Sequence, residues 1–179
     1  MGQAFYALGK FEDARHCYTE AIKINPDDVI AHKSLAMVFH KQNRIDEAII
    51  YYKRSLELEP NDADTHNGLG TILARQGKYD EAVKYFEYAI NIKPDFIEAH
   101  RSLSMALAMM GEWGQAVDCF RKVLQLKPDD VEAHYLMGVL LSQKGDIDGA
   151  IIEFRKVLQL NPTHEDAQYH LNTLLPTKK

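Results

Sequence analysis

The chain has 179 residues, 46% apolar and 26% charged, with a formal charge of −5 and a pI near 5.9. This balance argues against a general binder of nucleic acid or of anionic membranes, and the apolar share is enough for a continuous core. No apolar run approaches the ~20 residues that span a bilayer, and the N-terminus lacks a signal-peptide pattern.

Taken in chain order, apolar residues recur at helical spacing in short segments separated by two kinds of break. One kind carries Gly9, Asn43, Gly77, Gly111 or Gly145, all suited to a left-handed helix C-cap. The other carries Pro26, Pro60, Pro94, Pro128 or Pro162, spaced 34 residues apart, and only Pro176 is out of step. Asp27, Asn61, Asp95, Asp129 and Thr163 follow these prolines and are the predicted N-caps. Asp95 with Glu98, and Asp129 with Glu132, have capping-box spacing. Between Asn61 and Pro94, His66, Leu69, Gly70 and Leu73 share one face of a first helix. Tyr79, Ala82, Val83, Phe86, Ala89 and Ile90 share one face of a second, whose first turn carries Asp80 and Glu81. Gly114 and Gly149 are expected to weaken the starts of two other second helices.

A fixed period of this length signals a stacked helical array. The register divides the chain into a partial repeat (1–28), whole repeats (29–62, 63–96, 97–130, 131–164) and a terminal helix (165–179). The first repeat begins in mid-helix without a polar cap. The expectation is a fragment of a longer protein, the alternative being a genuine Met1 whose open edge packs on a second copy.

The columns keep one register throughout. Leu35, Leu69, Leu103, Met137 and Leu171 form one, and Phe39, Leu73, Leu107, Leu141 and Leu175 another. Ala14, Ala48, Ala82, Ala116 and Ala150 form a third; Tyr18, Tyr52, Phe86, Phe120 and Phe154 a fourth. Together they resemble the tetratricopeptide repeat (TPR) family over nearly the whole chain. One departure is that His32, His66, His100 and His134 stand where the family often has an aromatic residue. The resemblance implies an all-α, right-handed superhelical solenoid of antiparallel helix pairs, with a concave groove lined by the first helices.

The function implied is a non-catalytic scaffold that binds a peptide or protein segment in that groove. The residues expected to line it are Lys33, Met37, His40 and Lys41, then Asn67, Thr71 and Arg75. Arg101, Met105 and Met109 follow, then Tyr135, Val139 and Ser142, and finally Tyr169 and Thr173. A rim of Asp64, Glu98, Glu132 and Asp166 beside Lys33, Arg75 and Arg101 predicts a partner of mixed charge. Arg101→Glu or Tyr135→Ala is expected to weaken binding without lowering stability. The family's carboxylate clamp is not matched, since Met37 and Gly68 stand where its asparagines belong. The asparagine ladder of one family branch is replaced by Ser34, Gly68, Ser102 and Leu136.

No chemical motif competes with this reading. The histidine column recurs one helix layer at a time, roughly 8–10 Å, which two ligands of one zinc at ~2.0–2.1 Å bridge only with difficulty. Each is expected to be a packing residue with one hydrogen-bonded nitrogen. Gly68-Leu69-Gly70 lies inside a helix and is no phosphate loop. No catalytic residue, cofactor or metal is expected. Cys17 and Cys119 lie three periods apart, too far for the ~4.4–6.8 Å Cα separation of a disulfide, so a reducing compartment is expected, and with no signal or transmembrane pattern the expected location is the cytoplasm. Two other readings stay open: a self-associating module, and the arm of an enzyme whose catalytic domain lies elsewhere.

Overall fold

A computed structural model describes residues 1–175, and all regular structure among them is helical. Two compact units are formed, one over Met1–Pro94 and one beginning at Asp95. The first holds α1 (Gly2–Ala7), α2 (Phe11–Ile24), α3 (Val29–Lys41), α4 (Ile45–Leu58), α5 (Ala63–Arg75) and α6 (Tyr79–Ile92). The second holds α7 (Ile97–Met109), α8 (Trp113–Leu126), α9 (Val131–Lys144), α10 (Ile147–Leu160) and α11 (Glu165–Leu174). Within each unit, every helix packs on its neighbours in sequence, so the units are stacks of helix pairs. Residues 176–179 of the predicted terminal helix lie outside the described residues.

The column residues form the core because one helical face recurs at each period. Ala14, Ala48, Ala82, Ala116 and Ala150 are fully buried, and their small side chains let paired helices approach closely. The aromatic column is buried too, and Phe86 and Phe154 press on the first helix of their own pair. A Cβ placed on Gly70 would lie 2.7 Å from the Phe86 ring, and one on Gly138 would lie 2.9 Å from Phe154. The absence of a side chain at these two positions therefore makes room for the aromatic ring. Phe154 also stacks on His170 of α11, with ring centroids 5.1 Å apart.

The breaks within pairs are as read. Gly9, Asn43, Gly77, Gly111 and Gly145 all have positive φ, between 59° and 88°. The residue after each sends its N–H back to the last turn, as from Lys78 to the Leu73 carbonyl at 3.0 Å. This closes a Schellman-type cap.

The breaks between repeats correct the predicted N-caps by one residue. The caps are Asp28, Asp62, Phe96, Asp130 and His164, not Asp27, Asn61, Asp95, Asp129 and Thr163. The cause is the proline turn. Pro26 and Asp27 occupy the turn's centre, and Asp28 N–H donates to the Asn25 carbonyl at 3.1 Å. The chain is free to enter the helix only after that bond. The spacing of Asp95 with Glu98 and of Asp129 with Glu132 therefore marks no capping box. The start of α10, at Gly149, is capped by Asp146, whose carboxylate accepts from the Gly149 N–H at 3.0 Å.

Candidate partner-binding face

The face in question is the side of the first helices turned away from the core columns. Its first position in each repeat is Lys33, Asn67, Arg101 or Tyr135. Lys33, Arg101 and Tyr135 sit beside the N-cap of the following first helix, and that placement decides what they do. Lys33 Nζ donates to Asp62 Oδ2 at 2.7 Å, while the other Asp62 oxygen accepts from the Asp64 and Thr65 N–H groups. Arg101 pairs in the same way with Asp130, which caps α9 by accepting from Ala133 N–H at 3.0 Å. Tyr135 lies against His164, with centroids 4.9 Å apart, and His164 Nδ1 accepts from Ala167 N–H at 3.3 Å.

Each of these contacts fastens the start of one first helix to the first helix before it. Burial pushes the Asp62 carboxyl up, but the Lys33 and Thr65 hydrogen bonds outweigh this and hold it below the usual carboxylate range. Asp130 behaves alike: burial opposes ionisation, and the Arg101 hydrogen bond, the Ala133 N–H and the Lys127 charge prevail. Lys33 and Arg101 are thus neutralised within the fold. They were expected as free floor cations for a ligand, whereas here each is ion-paired with a helix cap. The same contacts predict that changing Arg101 or Tyr135 lowers stability.

The other predicted residues fall into separate groups. In the first unit, Met37 and Lys33 join Gln3, Tyr6, Tyr18, Ile30 and Ser34 around a hollow of about 320 Å³ between α1 and α3. His40 is half-buried and held below the ordinary histidine range, first by burial and then by the Arg75 and Lys41 charges. Lys41 and Arg75 are exposed, and Arg75 reaches the side chain of Asn43 at 3.3 Å. The Thr71 hydroxyl is engaged by the Asn67 carbonyl at 2.8 Å. Asn67 Oδ1 is buried without a hydrogen-bond partner among the described residues.

In the second unit, Met105 and Val139 come together across a groove of about 140 Å³ between α7 and α9. Ala108, Phe120, Leu136 and Leu140 complete its apolar wall. Ser104 also lines it, but its hydroxyl donates to the Ala116 carbonyl at 2.7 Å. Met105 is 59% exposed, Met109 66% and Tyr169 70%. Ser142 is partly buried, and the exposed Thr173 bonds the Tyr169 carbonyl at 2.9 Å. The additional lining residues were not singled out from sequence, since they belong to the core columns or flank them. Only the rotation between helix pairs shows which of them stay accessible.

His32 and His66 pack as read, with one bonded nitrogen each, whereas His134 bonds through both. His32, His66 and His134 place Nε2 2.8, 2.8 and 2.9 Å from the carbonyls of Pro26, Pro60 and Pro128. The other ring nitrogen depends on the second helix. Tyr51 stacks on His32 and Tyr85 lies by His66, leaving their Nδ1 atoms without a partner. Glu153 holds the equivalent place in the last repeat and meets His134 Nδ1 at 2.6 Å. Among the described residues, no three His, Cys, Asp or Glu side chains converge as a metal site would require. No described helix is long and apolar enough to cross a membrane.

A family model for the TPR domain of cytochrome c-type biogenesis protein H matches residues 53–168, and a tetratricopeptide repeat model matches residues 1–63. The chain belongs to the tetratricopeptide repeat family. Its fold is accordingly an all-α solenoid of helix pairs. No curated protein matches the chain in a sequence comparison. Solved structures do. PilF from Pseudomonas aeruginosa is 23% identical with a TM-score of 0.85, over 97% of this chain and 79% of its own. MamA from Desulfovibrio magneticus RS-1 is 20% identical with a TM-score of 0.83, over 92% and 93%. YrrB, described as a TPR protein with an unusual peptide-binding site, is 22% identical with a TM-score of 0.80, over 94% and 87%. At these identities the likeness is one of fold.

Proposed function

We propose that this chain is a non-catalytic scaffold that holds a peptide or protein segment on the face of its first helices, with 1–179 acting as one array. The observation that carries the reading is the α7–α9 groove, where the exposed thioether of Met105 stands against an apolar wall, with Met109 exposed one turn further along α7. Methionine and tyrosine at such a surface are types enriched in the centres of interfaces. Peptide binding by the structurally similar YrrB agrees with it.

The test is capture of partners from the source cell with the intact chain and two charge variants. Met109→Glu, on the proposed face, should lose the partners, while Lys84→Glu, exposed on a second helix, should keep them. Retention by both variants would place the partner elsewhere.

One observation favours a second reading, self-association. In the first unit, Ile24 (85% exposed) and Ile30 (62%) border a hollow of about 500 Å³ at the α1–α2 end. Light scattering across a concentration series decides it, because a strictly monomeric chain rejects it.

A further inference from the structure

The second unit says more about the partner's chemistry. A groove of about 140 Å³ with apolar walls is close to the roughly 150 Å³ cavity that accepts a benzene ring in another protein. It fits one large hydrocarbon side chain. With the Ser104 hydroxyl engaged by Ala116, the groove leaves no polar side-chain group to be satisfied by a ligand. A charged or amide group entering it would lose its hydration without compensation.

The charge beside the groove has a definite sign. Glu98, Glu132 and Asp166 stand one on each first helix, in or next to the first turn, and all three are exposed. Among the described residues none of them forms an ion pair. Glu132 stands four residues before Leu136 and seven before Val139, on the same stripe of α9 as the groove wall. Burial first, and then the Asp166 and Glu132 charges, disfavour the Tyr135 phenolate, so both acids lie near that ring. The cation of this face, Arg101, is held by Asp130 and does not offset them.

We infer that the second unit takes a polypeptide segment in which a large uncharged apolar side chain stands near lysine or arginine. The apolar group enters between Met105 and Val139, and the cation lies against Glu132 and Asp166. This rests on the first-helix face being the binding face, and it narrows the expected mixed-charge partner to a cationic one.

The test uses the full chain with labelled methionine and valine methyl groups and three acetylated, amidated heptapeptides. One has phenylalanine between two lysines, one has phenylalanine between two glutamates, and one has alanine between two lysines. The lysine–phenylalanine peptide should shift the Met105 and Val139 methyl signals. It should bind roughly 2- to 30-fold tighter than the glutamate peptide, the range set by two exposed ion pairs. Glu132→Lys with Asp166→Asn should remove that preference, as should raising sodium chloride on the unaltered protein. Binding at these methyls with no preference, or with preference for glutamate, overturns the cationic partner and leaves the binding face standing. Equal binding of the alanine peptide overturns the apolar subsite. If no peptide moves any methyl on the first helices, the inference and the face fail together.

Discussion

Arg101→Met separates a structural role for this side chain from a ligand-binding one. The side chains of Arg101 and Asp130 are 26% and 14% exposed, so the pair is largely withdrawn from water. Methionine keeps the aliphatic volume and removes the charge and donors. Asp130 would then keep the Ala133 N–H but lose its counter-ion, at a cost of about 1–3 kcal/mol for an under-satisfied buried charge. With a urea slope near 2 kcal/mol/M, the unfolding midpoint should fall by roughly 0.5–1.5 M. Asp130→Asn, which can still cap α9, completes a double-mutant cycle whose coupling should reach about 0.5 kcal/mol or more. The pH dependence has a fixed sign. Because Asp130 is held below its ordinary value, the pair's contribution is complete above the unfolded aspartate pKa of about 3.9. It is lost as pH falls through the lower folded value. The difference between wild type and Arg101→Met should therefore be constant above about pH 4 and shrink in stronger acid. Additive single changes, or a midpoint unmoved by Arg101→Met at neutral pH, would refute the tie between repeats.

Three further outcomes follow from the same geometry. Gly138→Val should lower stability by about 1–3 kcal/mol, because its Cβ meets the Phe154 ring at 2.9 Å; thermal melts followed by circular dichroism read this. Gly114→Ala, in open space, should stabilise α8 by roughly 0.5–1 kcal/mol, whereas Gly149→Ala should not gain as much, since its Cβ would lie 2.8 Å from the Asp146 carboxylate. Equal gains in urea melts would remove the role given to the Asp146 cap. Long-range ¹H–¹⁵N spectra should show Nε2–H tautomers for neutral His32 and His66, because the proline carbonyls accept there; Nδ1–H at either would contradict that assignment.

The proposed site was less legible in the sequence than the fold, for an identifiable reason. A 34-residue period places Leu69, Ala82 and Phe86 on buried faces because helical spacing alone determines which residues share a side. It also located the left-handed breaks, since few residues but glycine and asparagine tolerate that backbone. The N-caps moved by one residue because a proline turn takes one more residue than a simple cap. Lys33 and Arg101 looked like groove cations because spacing identifies the exposed side of a helix and says nothing of its neighbour's charge.

Sequence by itself determined the repeat, its register and the core, because these depend on contacts within one hairpin that recurs. Tertiary structure decided which floor charges remain available, because Lys33 meets Asp62 and Arg101 meets Asp130 across successive hairpins, 29 residues apart. The rotation of one helix pair on the next sets that meeting. It likewise opens the space between Met105 and Val139, which no periodicity within a single helix encodes.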